Sequence, residues 1–148
     1  MESGTHGGVE RAPVGAGVIR MAPAVRDAIL DHARGALPEE CCGLLLGDDG
    51  RVHGMHPARN DSADPRRRYR IDPADHFAAV RRARAAGLRV VGGYHSHPRH
   101  AAEPSPVDRA EADDPDWLHV IAAPAEGIVR AWRLIDGNFH ELPIVPCG

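Results

Sequence analysis

At 148 residues the chain is long enough for one domain, which buries roughly 68 to 70% of its unfolded surface, and 26% charged residues with a net charge of -3 leave no field of one sign. That balance disfavours nucleic acid as a partner. The chain does not open on a basic stretch followed by an apolar run, and nothing in it approaches ~18 consecutive apolar residues, so the expectation is a soluble, cytoplasmic protein with no membrane partner.

Residues 1–15 are rich in glycine and polar residues without periodicity and read as a flexible N-terminal tail, with the domain proper over 16–148. A short apolar strand over 17–21 leads into a helix over 23–35, where Val25, Ala28, Ile29, His32 and Ala33 follow the i, i+3, i+4 pattern. His32 on that stripe reads as a packed histidine. The adjacent Cys41 and Cys42, with Cys147 the third cysteine, cannot build a disulfide framework and point to a reducing compartment. Small buried hydrophobes are what such thiols usually are. The run 43–47, bounded by glycines, suggests a central strand buried on both faces. Asp48-Asp49-Gly50 is a hairpin signal before a strand over 51–57.

Residues 58–68 read as an exposed loop. All 18 basic residues are arginine, and the densest run, Arg66-Arg67-Arg68, lies there. A solvated loop is its ordinary reading; steering of an acidic partner is the other. A short strand over 69–71 follows. Asp72-Pro73 then caps a second helix reaching 87, with Phe77, Val80 and Ala83 spaced as its packed face. Strands over 88–94, 117–123, 127–134 and 138–144 complete a mixed sheet flanked by two main helices, an α/β class with a third short helix after Ser105.

The strand over 88–94 runs into Tyr94-His95-Ser96-His97-Pro98. Alternation along a strand projects His95 and His97 from one face, so both rings can reach one ion. Ser105-Pro106-Val107-Asp108 reads as a helix start with Ser105 at the N-cap and the acid in the first turn. Catalytic zinc sites commonly take three protein ligands, which His95, His97 and Asp108 would supply. Glu40, just before a buried strand where a carboxylate is costly, is the candidate general base. Ser105 would donate to the developing oxyanion. Each feature also has an ordinary reading: a lone His-x-His is weak, and Ser105 and Asp108 could simply cap a helix. Glu103 reads as a solvated loop acid, and His53, His56, His76, His100, His119 and His140 have no mutual ligand spacing.

Taken together, Glu40, His95-x-His97, seven residues, Ser105, two residues and Asp108 resemble the JAMM family of zinc metallopeptidases, the catalytic MPN domains. Glu40-Cys41-Cys42-Gly43, Asn60, Tyr69-Arg70-Ile71-Asp72-Pro73 and Gly87-Leu88 are also similar to the family, so the likeness spans about residues 17–144. It implies a single MPN domain of cytidine-deaminase-like architecture, holding one Zn2+ per chain. The deaminase chemistry itself needs a Pro-Cys-x-x-Cys pair, and Pro146-Cys147 lacks the second cysteine. The chain is similar to the small bacterial members, which act as sulfur-carrier-protein peptidases. That likeness implies hydrolysis after the C-terminal Gly-Gly of a ubiquitin-like β-grasp carrier, with cysteine as leaving group. The tail is expected to dock by strand addition at a sheet edge near the metal, bordered by residues 99–103. An isopeptidase acting on protein conjugates, and a non-catalytic MPN scaffold, are the competing readings. A homodimer is compatible with the small domain.

Overall fold

The computed structural model describes residues 17–147; the expected tail over 1–15 lies outside them. The elements run β1 (Ile19–Met21), α1 (Pro23–Ala36), β2 (Cys42–Asp48), β3 (Arg51–Ala58), α2 (Pro73–Ala85), β4 (Arg89–Ser96), α3 (Pro106–Glu111), β5 (Leu118–Ala123), β6 (Ile128–Ile135), β7 (Asn138–Leu142) and β8 (Ile144–Pro146). The strands form one sheet in the order β7-β6-β5-β4-β2-β3-β1-β8. It is mixed, with β4 parallel to β5 and β1 parallel to both β3 and β8. The expected α/β class, with two main helices and one short one, is what the chain forms.

Alternation along the central strands divides the core. Leu45 and Tyr94 face α1, where they meet Val25, Ile29, Leu30 and Ala33. Cys42, Leu44 and Leu46 face the other way, onto Ala79 and Ala83 of α2. β2 is therefore buried on both faces, as its apolar run demands. Among the described residues, no helix is long and apolar enough to cross a membrane.

Three expectations need correction. Residues 69–71 do not form a strand; they contribute one isolated antiparallel bridge, Asn60 to Ile71, because the loop turns back on itself there. On α2 Ala83 is buried as expected, but Ala79 is its buried companion, whereas Phe77 is 68% exposed. Alanines let the helix lie close on the sheet where a phenyl ring would hold it off. The strand expected over 138–144 is two strands. Pro143 has no N–H to donate and breaks the ladder, so β7 and β8 occupy opposite edges of the sheet though one residue separates them. The sheet must curl until its edges approach at that corner, where the Ile19 N–H donates to the Pro143 carbonyl at 2.8 Å.

Gly92 sets the spacing of the strand that carries the histidines. A Cβ there would strike the Leu118 carbonyl of β5, which is backbone and cannot swing aside. Gly92→Ala is expected to lower the unfolding free energy by about 3 kcal/mol in a urea titration. A change within about 0.5 kcal/mol would mean the strands can part without cost.

Candidate metal centre

The ladder between β2 and β4 pairs Cys42 with His95 in antiparallel register. Continuing it one residue outward sets Cys41 opposite Ser96, and two residues outward sets Glu40 opposite His97. The hydrogen bonds agree: the Ser96 N–H donates to the Cys41 carbonyl at 3.1 Å, and the Cys41 N–H donates to Ser96 Oγ at 2.9 Å. Ser96, on the face away from the histidines, thus sews Glu40's segment to theirs. Glu40, His95 and His97 share one face because alternate residues do. All three are buried.

His97 lies just past the end of β4, where its N–H still donates to the Ala122 carbonyl at 2.9 Å. Its Nδ1 lies 2.8 Å from the Ala101 carbonyl, which accepts from it and leaves the Nε2 lone pair free. The intervening loop is anchored by the buried Ala102, whose carbonyl accepts from Trp132 Nε1 at 3.0 Å. It delivers Ser105 to the N-cap of α3. There Ser105 Oγ accepts from the Asp108 N–H at 3.0 Å, and the Ser105 N–H donates to Asp108 Oδ2 at 2.9 Å. This reciprocal capping box swings the Asp108 carboxylate toward the histidines. The Ser105 hydroxyl proton is not used by the cap.

His95 Nε2 and His97 Nε2 are 3.2 Å apart, and Asp108 Oδ2 lies 3.2 and 3.1 Å from them. Three mutual approaches of that length cannot all be hydrogen bonds, since neutral rings with Nε2 lone pairs turned inward have no proton to share. A tetrahedral zinc with bonds of about 2.0 Å separates its ligands by about 3.3 Å, which is the spacing present. His95, His97 and Asp108 can therefore hold one metal ion, and theirs is the group of such donors found among the described residues. Burial drives the His95 imidazole below its ordinary pKa. For His97 burial acts the same way but is outweighed by Asp108 and the Ala101 carbonyl, which raise it. Burial likewise disfavours the charged form of Asp108, yet the two imidazoles beside it and the Ser105 N–H hold it well below the usual carboxylate range. Burial pushes Glu40 up to about 7, with Asp108 and Asp64 adding to the rise and His97 opposing it.

A cleft of about 600 Å³ opens beside these groups, lined by Glu40, His97 and Ser105 and bordered by Arg99, His100 and Glu103. The loop 99–103 borders it as expected. The docking expectation is corrected: β4 lies between β2 and β5, and the sheet's edges are β7 and β8, so no free edge adjoins the metal strand. Burial pushes the Cys41 and Cys42 thiols up to about 11 and about 12, so both are packed and protonated at neutral pH. Glu103, His53, His56, His76, His100, His119 and His140 stand outside the donor group. His32 packs against the sheet with Nδ1 2.7 Å from the Tyr94 hydroxyl.

Tyr69 was not foreseen in any functional role. Its ring stacks on His95 at 4.2 Å between centroids and 16° between planes, fixing the imidazole's orientation. The only signal was the Tyr-Arg-Ile-Asp-Pro run ahead of α2. Tyr69→Ala is expected to weaken metal binding about tenfold in a chelator competition, while Tyr69→Phe, which keeps the stack, stays near the parent. Equal losses in the two variants would assign the effect to the hydroxyl.

Residues 22–135 match the prokaryotic homologs of the JAB domain. The chain belongs to that family, the JAMM or MPN fold, and is a hydrolase. It is 38% identical over 132 residues to desampylase of Haloferax volcanii, covering 85% of this chain and 94% of that protein. It is also 32% identical over 123 residues to CysO-cysteine peptidase of Mycobacterium tuberculosis, covering 80% and 84%. A protein of Desulfitobacterium hafniense known from its solution structure superposes with a TM-score of 0.79 at 31% identity, covering 88% and 93%.

Proposed function

We propose that the protein is a zinc peptidase that hydrolyses the amide after the C-terminal Gly-Gly of a ubiquitin-like sulfur carrier, releasing cysteine. The observation that carries this reading is a three-donor group of tetrahedral spacing with a buried carboxylate, Glu40, on the same face beside it. Zinc held by His95, His97 and Asp108 supplies Lewis acidity, polarising the scissile carbonyl and bringing the pKa of water towards about 7. Glu40 takes the proton of the attacking water and returns it to the leaving nitrogen as the C–N bond breaks, a task that suits a carboxylate poised near neutrality. Ser105 turns its free hydroxyl proton to the carbonyl oxygen as negative charge grows there.

The carrier substrate draws its support from the two relatives, one named for removing a small modifier and the other for cleaving a carrier–cysteine bond. The higher identity to the desampylase favours a second reading, cleavage of a protein conjugate at a lysine. Both are tested together by incubating the zinc-replete protein with a carrier–cysteine adduct and with a lysine-linked conjugate, following mass. Loss of the cysteine moiety is expected, with a metal content of about one zinc per chain. No loss from either substrate would overturn the proposed activity.

A further inference from the structure

We propose that Arg66, Arg67 and Arg99 form an anion subsite in the catalytic cleft, taking the α-carboxylate of an amino-acid leaving group. This rests on the proposed function and specifies the leaving group from this chain's own residues. Arg66, Arg67 and Arg99 line the same cleft as Glu40, His97 and Ser105, and they come from two different loops.

Their placement is built. Asn60 uses its whole side-chain amide to brace the loop that carries Arg66 and Arg67. Its Nδ2 donates to the carbonyls of Glu40 at 3.0 Å and Arg68 at 2.9 Å, and its Oδ1 accepts from the N–H groups of Ser62 at 3.0 Å and Arg70 at 3.1 Å. The Glu40 N–H donates to the Pro65 carbonyl at 2.8 Å, and Arg67 and Arg68 close a turn onto the Asp64 carbonyl. The arginine turn and the proposed base therefore form one cross-braced unit. Arg99 belongs to the loop pinned by Ala102 and Trp132.

Of the loop's other arginines, Arg68 does not line the cleft and two are already matched. Arg59 pairs with Asp72 and Asp75, and Arg70 pairs with Asp61 at 2.7 Å. Arg66, Arg67 and Arg99 make no ion pair with a described residue. Against these three guanidinium groups the cleft presents two acids, Glu40 and the exposed Glu103. Unmatched guanidinium groups concentrated beside a reacting centre favour an anion there, and a planar carboxylate is their best complement. A free amino acid provides one. Its carboxylate carbon is two bonds from the scissile nitrogen, so it stays in the same cleft whenever that nitrogen reaches Glu40. A lysine side chain within a protein brings no carboxylate to that position.

The test uses a synthetic peptide ending in Gly-Gly-Cys with a free carboxylate and the same peptide C-terminally amidated. Binding of each to the zinc-loaded Glu40→Gln protein is measured by calorimetry, and hydrolysis of each by the parent. The free acid is expected to bind about tenfold tighter, a difference of about 1.4 kcal/mol. Adding Arg66→Gln, Arg67→Gln and Arg99→Gln together should bring the ratio of the two affinities close to one, with metal content and thermal midpoint kept as checks on folding. The thiol is common to both peptides and cancels in the ratio. Equal affinity in the arginine-intact protein, no measurable binding of either peptide, or a preference that survives the triple substitution would each overturn the subsite. A preference of the expected size without hydrolysis would leave the subsite standing and count against the proposed activity, so the two failures are distinguishable.

Discussion

Glu40→Gln is expected to reduce hydrolysis by about 10² to 10⁴-fold while making the metal-free protein more stable above neutral pH. Both effects come from one placement. Glu40 is held opposite His97 by the ladder between β2 and β4 and is 8% exposed, so its charged form is poorly solvated and its pKa rises to about 7. The unfolded value is about 4.3. A carboxylate whose folded pKa lies above its unfolded one binds its proton more tightly in the folded state. Below about pH 4 it is protonated in both states and costs nothing. As pH rises towards 7 the unfolded chain ionises freely and the folded one does not, so stability falls, and above 7 the loss is complete. At about 1.4 kcal/mol per tenfold change the full gap is about 4 kcal/mol, and water at the cleft mouth reduces it to about 2 kcal/mol. Gln carries no such penalty. Urea unfolding of chelated parent and variant should therefore coincide near pH 4 and differ by about 2 kcal/mol at pH 8. A variant less stable than the parent at pH 8 would show that the carboxylate has partners beyond those named.

The convergence of His95, His97 and Asp108 was legible because strand alternation and helix capping are local rules. His95 and His97 share a face by the two-residue period, and Ser105 and Asp108 form a capping box whose carboxylate has one direction to point. Glu40 was legible as a residue type in a costly place, but its position opposite His97 was not, because register depends on partners distant in sequence. The same limit explains the strand over 138–144. Pro143 marks a break, yet nothing local says that the two halves belong to opposite edges. It also explains the absent sheet edge beside the metal, which only strand order reveals. Phe77 shows a different limit: helical spacing identified Ala83, and only the closeness of α2 to the sheet decided that Ala79 rather than Phe77 should be buried with it. Tyr69 and Asn60 sit in a segment without periodicity, so their contacts with His95 and with the Glu40 backbone leave no pattern to read.

Asp108→Ala and Ser105→Ala are expected to damage α3 alike and the chemistry differently. The two side chains satisfy each other's backbone N–H groups, so either substitution opens the capping box. α3 has six residues, none of them buried, and little besides that box holds its first turn. Each variant should lose about 1 kcal/mol locally, seen as faster hydrogen exchange at the Arg109 amide, which donates to the Ser105 carbonyl at 2.9 Å. What remains after that shared loss separates the roles. Without the Asp108 carboxylate the two imidazoles are left as a two-donor group, and metal content should fall to near zero together with activity. Without the Ser105 hydroxyl all three donors persist, so metal should stay near one per chain while kcat falls about 10² to 10³-fold and KM changes little. Loss of metal from Ser105→Ala would mean that the hydroxyl acts by steering Asp108 toward the histidines and would remove the ground for treating it as the oxyanion donor. Retention of metal and kcat together would leave Ser105 with the helix cap alone, and the donor to the carbonyl oxygen would then have to come from the backbone of the loop between His97 and Ser105.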